Sequence, residues 1–148
     1  MPLKTRIQED VKQAMRARDK ARLSALRLVT AAIKQKEVDE RIELDDSGVL
    51  AVLDKMAKQR RESLEQYRNA GREDLAAREQ YELDILAEFL PEPLSDAELD
   101  TLISTAIEQT GAASARDMGA VMSALRAQVQ GRADMKAVSD AVRGRLAG

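Results

Sequence analysis

The chain has 148 residues, of which 44% are hydrophobic and 34% charged, and 24 Lys and Arg against 26 Asp and Glu give it a net charge of −2. It contains neither Cys nor His, which excludes disulfides, thiolate nucleophiles, Ser-His triads and Cys- or His-ligated metal sites. Only three residues are aromatic, so little is available for stacking unpaired bases. The length suits one domain or two small ones.

Targeting and cofactor motifs are also missing from the sequence. The first residues lack the apolar segment of a signal peptide, and no stretch approaches the roughly 18 apolar residues of a membrane-spanning helix. There is no Gly-rich phosphate loop and no cluster of metal-ligating residues. We therefore expect a cytoplasmic, soluble protein without membrane, metal or cofactor.

Apolar residues recur at helical spacing through the first 90 residues, which predicts four amphipathic helices. The first carries the stripe Leu3, Ile7, Val11 and Met15. The second fades near residue 41, the third begins at residue 45 or 46, and the fourth covers about 73–89. Gly71 follows the third helix, where a C-cap favours a left-handed residue.

The best boundary signal is the segment from Leu90 to Leu94, which contains Pro91 and Pro93. Two prolines at this spacing cannot both lie inside one helix, and each restricts the residue before it. We therefore predict an N-terminal helical domain over residues 1–90, a Pro-containing hinge, and a C-terminal domain over residues 91–148.

Three shorter helices are predicted after the prolines. Ser95 and Glu98 form a capping box that opens the first. The second begins near residue 114 or 115, and Asp134 caps the third. No segment alternates with a period of two, so the predicted fold is all-α, with an N-terminal bundle of about four helices and a C-terminal three-helix domain.

The small net charge hides a segregated distribution. Residues 1–36 hold ten Lys and Arg against three acidic residues, residues 91–110 hold five acidic residues and no basic one, and residues 111–148 carry a net charge of +3. Such zones are typical of solvated helix faces, and they also favour polyanion binding. The sequence leaves both interpretations open for the first zone.

The basic tail has a specific pattern. At 100° per residue, Lys136, Asp140 and Arg143 lie opposite the apolar stripe of the last helix. Arg132 comes just before that helix, where an arginine, a lysine and a helix N-terminus could hold a phosphate. Asp134 would compete for the same amides. A turn between helices requires the Gly and the Asp there but not Arg132.

Several ordered motifs together resemble the GatB/YqeY family, and the resemblance covers essentially the whole chain. They are Leu26–Leu28 with Ala31–Lys34, Gln59–Ser63, Tyr67–Arg72, Leu90–Leu99, Asp117–Met122 and Gly131–Asp134. In the aspartyl/glutamyl-tRNA amidotransferase, the resemblance implies, this helical tail of the B subunit holds the tRNA while catalysis occurs elsewhere. This chain lacks a counterpart of the catalytic domain.

The resemblance therefore implies a non-catalytic tRNA-binding or tRNA-enzyme-associated module, to which an amidotransferase or carbon–nitrogen ligase label would apply by homology only. The tail contacts to RNA phosphates would come from Arg116, Arg126, Arg132, Lys136 and Arg143. The basic first two helices could extend this surface. The amidotransferase or an aminoacyl-tRNA synthetase is a further candidate partner.

Four features stay open to other interpretations. The acidic helix at 95–109 could dock a protein, which would make the chain an interaction adaptor without direct RNA binding. The carboxylates Glu82, Asp84 and Glu88 could do acid–base work, although helices this charged produce such groups routinely. Gly119, in the Asp117–Gly119 motif, could admit RNA or let two helices pack closely, and Arg60 and Arg61 could form a binding edge.

Overall fold

The computed structural model describes residues 1–147, and these are all-α: seven α-helices and one short 3-10 turn, with no strand among them. This confirms the predicted fold class. The chain divides into two compact units, which we call unit 1 (Met1–Leu90) and unit 2 (from Pro91 onward). None of the described helices is long and apolar enough to cross a membrane.

Unit 1 contains α1 (Leu3–Arg16), α2 (Lys20–Glu40), α3 (Asp46–Asn69) and α4 (Glu73–Ala87). Local chemistry sets the helix ends. The Asp45 side chain caps α3 by accepting a hydrogen bond from the Gly48 amide at 2.9 Å, as an N-cap aspartate does. Gly71 follows α3 with φ at +72°, the left-handed conformation that glycine adopts without steric cost.

The core of unit 1 comes from all four helices. Ile7, Leu26, Leu53 and Leu86 are almost completely buried, with α1 packed on α2 and α3 packed on α4. The predicted stripe of α1 is wrong at Met15, whose side chain is 51% exposed. A step of four residues rotates a helix position by about 40°, so three such steps carry Met15 about 120° away from Leu3.

Unit 2 contains α5 (Asp96–Thr110), the 3-10 turn (Ala115–Asp117), α6 (Met118–Val129) and α7 (Met135–Ala147). The capping box is present: the Glu98 amide donates to Ser95 Oγ at 3.1 Å, and the Ser95 amide donates to Glu98 Oε1 at 3.2 Å. The unit closes on a core of aliphatic side chains. They are Ile103, Ala106, Val121, Leu125, Val129, Val138, Val142 and Leu146.

The Pro-containing segment is fixed within unit 2 by two hydrogen bonds. The Leu94 amide donates to the Arg132 carbonyl at 2.8 Å, and Arg132 Nε donates to the Glu92 carbonyl at 2.9 Å. The prolines lie between α4 and α5, where no helix is formed, and these two bonds hold Glu92 and Leu94 to the turn between α6 and α7.

Candidate nucleic-acid interface

Three of the five predicted RNA contacts are exposed cations that make no salt bridge with any described residue. Arg116 lies in the 3-10 turn, Arg126 in the last turn of α6, and Lys136 in the first turn of α7. The short turn between α6 and α7 brings Arg126 and Lys136 to one end of unit 2. Arg116 lies at the other end of α6, about 12 Å or more along the helix at 1.5 Å per residue.

The other two predicted contacts have partners within unit 2. Arg143 pairs with Asp140 at 3.0 Å, and both side chains are more than half exposed. An ion pair this exposed contributes little and exchanges readily with an incoming phosphate. Arg132 donates a hydrogen bond from Nε to the Glu92 carbonyl. The turn between α6 and α7 does not by itself require an arginine, and this contact gives Arg132 a structural role.

The start of α7 is already capped by the protein itself. The Lys136 amide donates to Asp134 Oδ1 at 3.3 Å, so the carboxylate occupies the position that a phosphate would take at this helix N-terminus. Asp134 also places a negative charge two residues from Arg132 and two residues from Lys136 in the sequence. The geometry therefore favours Lys136 as a side-chain contact and gives no support to an amide-lined phosphate site here.

Arg145 is a well-placed cation that the sequence did not single out. Its guanidinium donates to Asp100 Oδ1 at 2.7 Å and to the Ser104 hydroxyl, which ties α7 to α5. Asp100 and Ser104 precede Arg145 by more than 40 positions, so helical periodicity gives no signal for this contact. Arg145 therefore belongs to the structure of unit 2, and part of the acidic charge of α5 is neutralised within the unit.

In the Asp117–Gly119 motif, Asp117 makes structural hydrogen bonds whereas Gly119 faces open space. Asp117 Oδ2 accepts hydrogen bonds from the Ala113 and Ser114 amides at 2.9 and 3.2 Å, and these bonds hold the pKa of this carboxyl below its ordinary value. Gly119 is exposed, and a Cβ there would have no atom within 4 Å. The prediction that Gly119 lets two helices pack closely is therefore wrong.

The carboxylates Glu82, Asp84 and Glu88, in and just after α4, are engaged by neighbouring side chains rather than grouped as a site. Glu82 accepts from Arg60 at 3.1 Å, Asp84 accepts from Gln80 at 2.9 Å, and Glu88 accepts from Arg22 at 2.7 Å. No group of acidic side chains among the described residues could hold a metal ion. These contacts account for the carboxylates structurally.

Arg60 likewise has a structural role. Besides Glu82, it pairs at 3.3 Å with Glu79, the buried acidic residue of α4. A buried carboxylate needs such a partner because the loss of hydration would otherwise destabilise it. Arg61 is exposed and stays available as a surface cation.

Taken together, these observations define an all-helical protein whose second unit displays unpaired cations on an aliphatic three-helix scaffold. The chain belongs to the Yqey-like protein family, whose model matches residues 4–146. The match confirms the resemblance indicated by the ordered motifs, and it covers both units.

The chain is similar to fungal proteins named "Altered inheritance of mitochondria protein 41, mitochondrial". It is 34% identical to that of Pyrenophora tritici-repentis over 130 residues, which cover 86% of this chain and 71% of the relative. It is 34% identical to that of Eremothecium gossypii over 94 residues (62% and 51%) and 33% identical to that of Saccharomyces cerevisiae over 92 residues (62% and 50%). The chain thus matches only about half the length of the latter two, and none of these names states a catalytic activity.

Proposed function

We propose that this protein is a non-catalytic module that binds structured RNA of the tRNA class through phosphate contacts. The observation that carries the proposal is the set of exposed cations on unit 2, Arg116, Arg126 and Lys136, which have no carboxylate partner among the described residues. An unpaired surface cation has no ion pair to break before it meets a phosphate. Contacts to phosphate position a protein on nucleic acid without reading its sequence.

The composition of unit 2 supports the same mode of binding. All three aromatic residues, Tyr67, Tyr81 and Phe89, lie in unit 1, so unit 2 has no ring on which an unpaired base could stack. Double-stranded RNA is recognised mainly by shape and by backbone contacts. The open surface at Gly119, next to the 3-10 turn that carries Arg116, would let a phosphate backbone approach α6 closely.

The test is a salt titration of binding between the full chain and bulk tRNA, with an unstructured RNA of the same length alongside. The variant Arg126→Ala/Lys136→Ala removes two unpaired cations of unit 2. The matched control Lys12→Ala/Arg72→Ala removes one Lys and one Arg that are exposed but already paired with Glu9 and Asp74.

We expect the test variant to weaken tRNA binding and to lower the slope of log K against log[salt] by about 1.4–1.8, because each neutralised phosphate contributes about 0.7–0.9. The control should keep the wild-type slope. Equal effects of the two variants would show that only net charge matters. Unchanged affinity in the test variant, with intact helicity, would refute the assignment of these two cations.

An adaptor function is the second candidate, and exposed apolar side chains favour it. Leu28, Val38 and Ile42 are 46%, 62% and 50% exposed in and just after α2. A protein partner would use such side chains as anchors. Binding of a protein partner would survive moderate salt and would be lost in Val38→Ser/Ile42→Ser. RNA binding would instead be salt-sensitive and unaffected by that variant.

The names of the fungal relatives place those proteins in mitochondria, whereas the sequence predicts a cytoplasmic location for this chain. Both compartments contain tRNA, so the proposed activity is the same in either. The amidotransferase or a synthetase stays a candidate protein partner. We expect no glutamine-dependent turnover from the purified protein.

A further inference from the structure

Helix α2 has an unusual distribution of charge. Between Asp19 and Glu37 the sequence contains five Lys and Arg and no acidic residue. Two of the five have partners in unit 1, because Arg22 binds Asp10 and Glu88, and Lys36 binds Glu40. The other three, Lys20, Arg27 and Lys34, are exposed and make no salt bridge with any described residue.

These three cations form a straight row on one side of the helix. They are separated by seven residues each, which is nearly two turns, so they repeat along α2 at about 10.5 Å and span about 21 Å. Ala25, Leu26, Val29 and Ile33 of the same helix are buried and anchor its opposite side in the core. The packed helix therefore fixes the spacing of the row. The side chains between its members, Ser24 and Ala31, are small.

The surface beside the row is concave rather than flat. A groove of about 410 Å³ runs between α1 and α2, with Arg27 and Lys34 among its lining residues and the buried Ile7 and Ile33 reaching it from the core. A second depression of about 380 Å³ is lined by Lys20, Leu23, Ser24, Arg27 and Leu28. Arg27 lines both, so the two depressions adjoin at the middle of the row.

The one acidic residue of the groove is already neutralised. Glu37 Oε2 accepts hydrogen bonds from Lys4 Nζ and from the Leu44 amide, both at 2.8 Å. The charge of Lys34 also helps to lower the pKa of Glu37. The groove still keeps a net positive charge, because Lys4, Arg27 and Lys34 line it beside this one carboxylate.

We propose that the row Lys20, Arg27 and Lys34, with the groove beside it, is a second contact surface for the phosphate backbone of the same structured RNA. This inference rests on the proposed function and adds unit 1 to the binding surface. A backbone with one negative charge per nucleotide can meet cations at 10.5 Å intervals, and the adjoining depressions allow it to approach the helix.

The test compares two triple variants of the full chain in tRNA binding. Lys20→Ala/Arg27→Ala/Lys34→Ala removes the row. The matched control Lys55→Ala/Lys58→Ala/Arg68→Ala removes two Lys and one Arg that are also exposed, on α3, so the change in net charge and composition is the same. Alanine favours helix at exposed positions; far-UV circular dichroism verifies the fold, and a Gln triple at the α2 positions provides a second version.

We expect the α2 triple to lose about 100-fold in tRNA affinity at 0.1 M salt and about 2 units of salt slope, since three phosphate contacts each contribute about 0.7 or more. The α3 triple should stay within about threefold of the wild type. Equal losses in both triples would overturn the proposal. So would unchanged affinity in the α2 triple, which would leave this face to another ligand such as an acidic protein.

The outcome also separates this inference from the proposed function. If Arg126→Ala/Lys136→Ala weakens tRNA binding while the α2 triple does not, RNA binding by unit 2 stands and the second surface is refuted. If the wild type shows no salt-sensitive binding to tRNA, the proposed function fails and this inference fails with it.

Discussion

Truncating the core of unit 2 gives the sharpest test of how the chain is organised. Leu125 is completely buried among the aliphatic side chains of α5, α6 and α7. Leu125→Ala removes that packing and leaves a cavity, at a cost of about 2–5 kcal/mol. Fewer than 60 residues follow Leu90, and at roughly 0.05–0.15 kcal/mol per residue such a unit is stable by only about 3–9 kcal/mol. We therefore expect the variant to lose much or all of the stability of unit 2.

The distribution of aromatic residues allows the two units to be observed separately. Tyr67 and Tyr81 both lie in unit 1, so the near-UV signal of tyrosine reports unit 1 alone. Far-UV circular dichroism reports both units, and α5, α6 and α7 with 15, 12 and 13 residues hold about a third of the α-helical residues. Urea titration should therefore show up to a third of the helical signal lost early, with the tyrosine signal unchanged.

Two controls complete this experiment. Leu125→Met conserves volume and should cost less than about 1.5 kcal/mol. Leu53→Ala truncates a side chain that is completely buried in unit 1 and should shift the tyrosine transition instead. Coincident loss of both signals in Leu125→Ala would show that residues 1–90 and 91–148 unfold as one unit, and a loss below about 0.5 kcal/mol would contradict the burial of Leu125.

Three further predictions concern polar contacts. Arg60→Met leaves the buried Glu79 unpaired and should destabilise unit 1 by about 2 kcal/mol, less than for a fully buried pair because Arg60 is 30% exposed. The tyrosine signal in a urea titration measures this loss of stability. Recovery of stability in Arg60→Met/Glu79→Leu would confirm the cause. Arg132→Ala removes the hydrogen bond to the Glu92 carbonyl and should lower the stability of unit 2 by about 1 kcal/mol, measured by the far-UV transition in urea. An unchanged urea midpoint would show that this bond contributes nothing. Hydrogen bonds from the Ser95 backbone and hydroxyl lower the pKa of Glu98. The stabilising contribution of Glu98 is therefore complete above the pKa of the unfolded state and is lost as the pH falls through the lowered pKa. The stability difference between wild type and Glu98→Gln should shrink from pH 7 to pH 3, and a constant difference would contradict the capping contact.

Helix boundaries were largely predictable because they depend on local chemistry. The capping box at Ser95 and Glu98, the N-cap at Asp45 and the left-handed Gly71 each involve neighbours within a few positions. The prolines that interrupt the chain after Leu90 act on the residue directly before each of them. Periodicity also identified most of the core, and it was wrong at Met15 because a strict four-residue repeat drifts around the helix.

The sequence was enough to locate the cations, but it could not show which of them are free of a partner and available to bind a ligand. Arg143 and Asp140 are close in sequence, whereas the partners of Arg132, Arg145 and Arg60 lie 19 to 45 positions away. Such contacts depend on how the helices pack, and no local pattern encodes them. The exception is α2, where the absence of acidic residues between Asp19 and Glu37 was a visible signal for unpaired cations.

The sequence by itself therefore determined the helical class, the interruption at the prolines and the excess of positive charge at the two ends of the chain. These properties follow from spacing, capping and composition, which act over a few residues. Only the tertiary structure decided which cations are bound to carboxylates or carbonyls and which still face solvent, because ion pairs form between side chains that packing brings within 4 Å. In unit 2 the packing leaves Arg116, Arg126 and Lys136 unpaired. In unit 1 it leaves the row Lys20, Arg27 and Lys34 unpaired on one exposed face of α2.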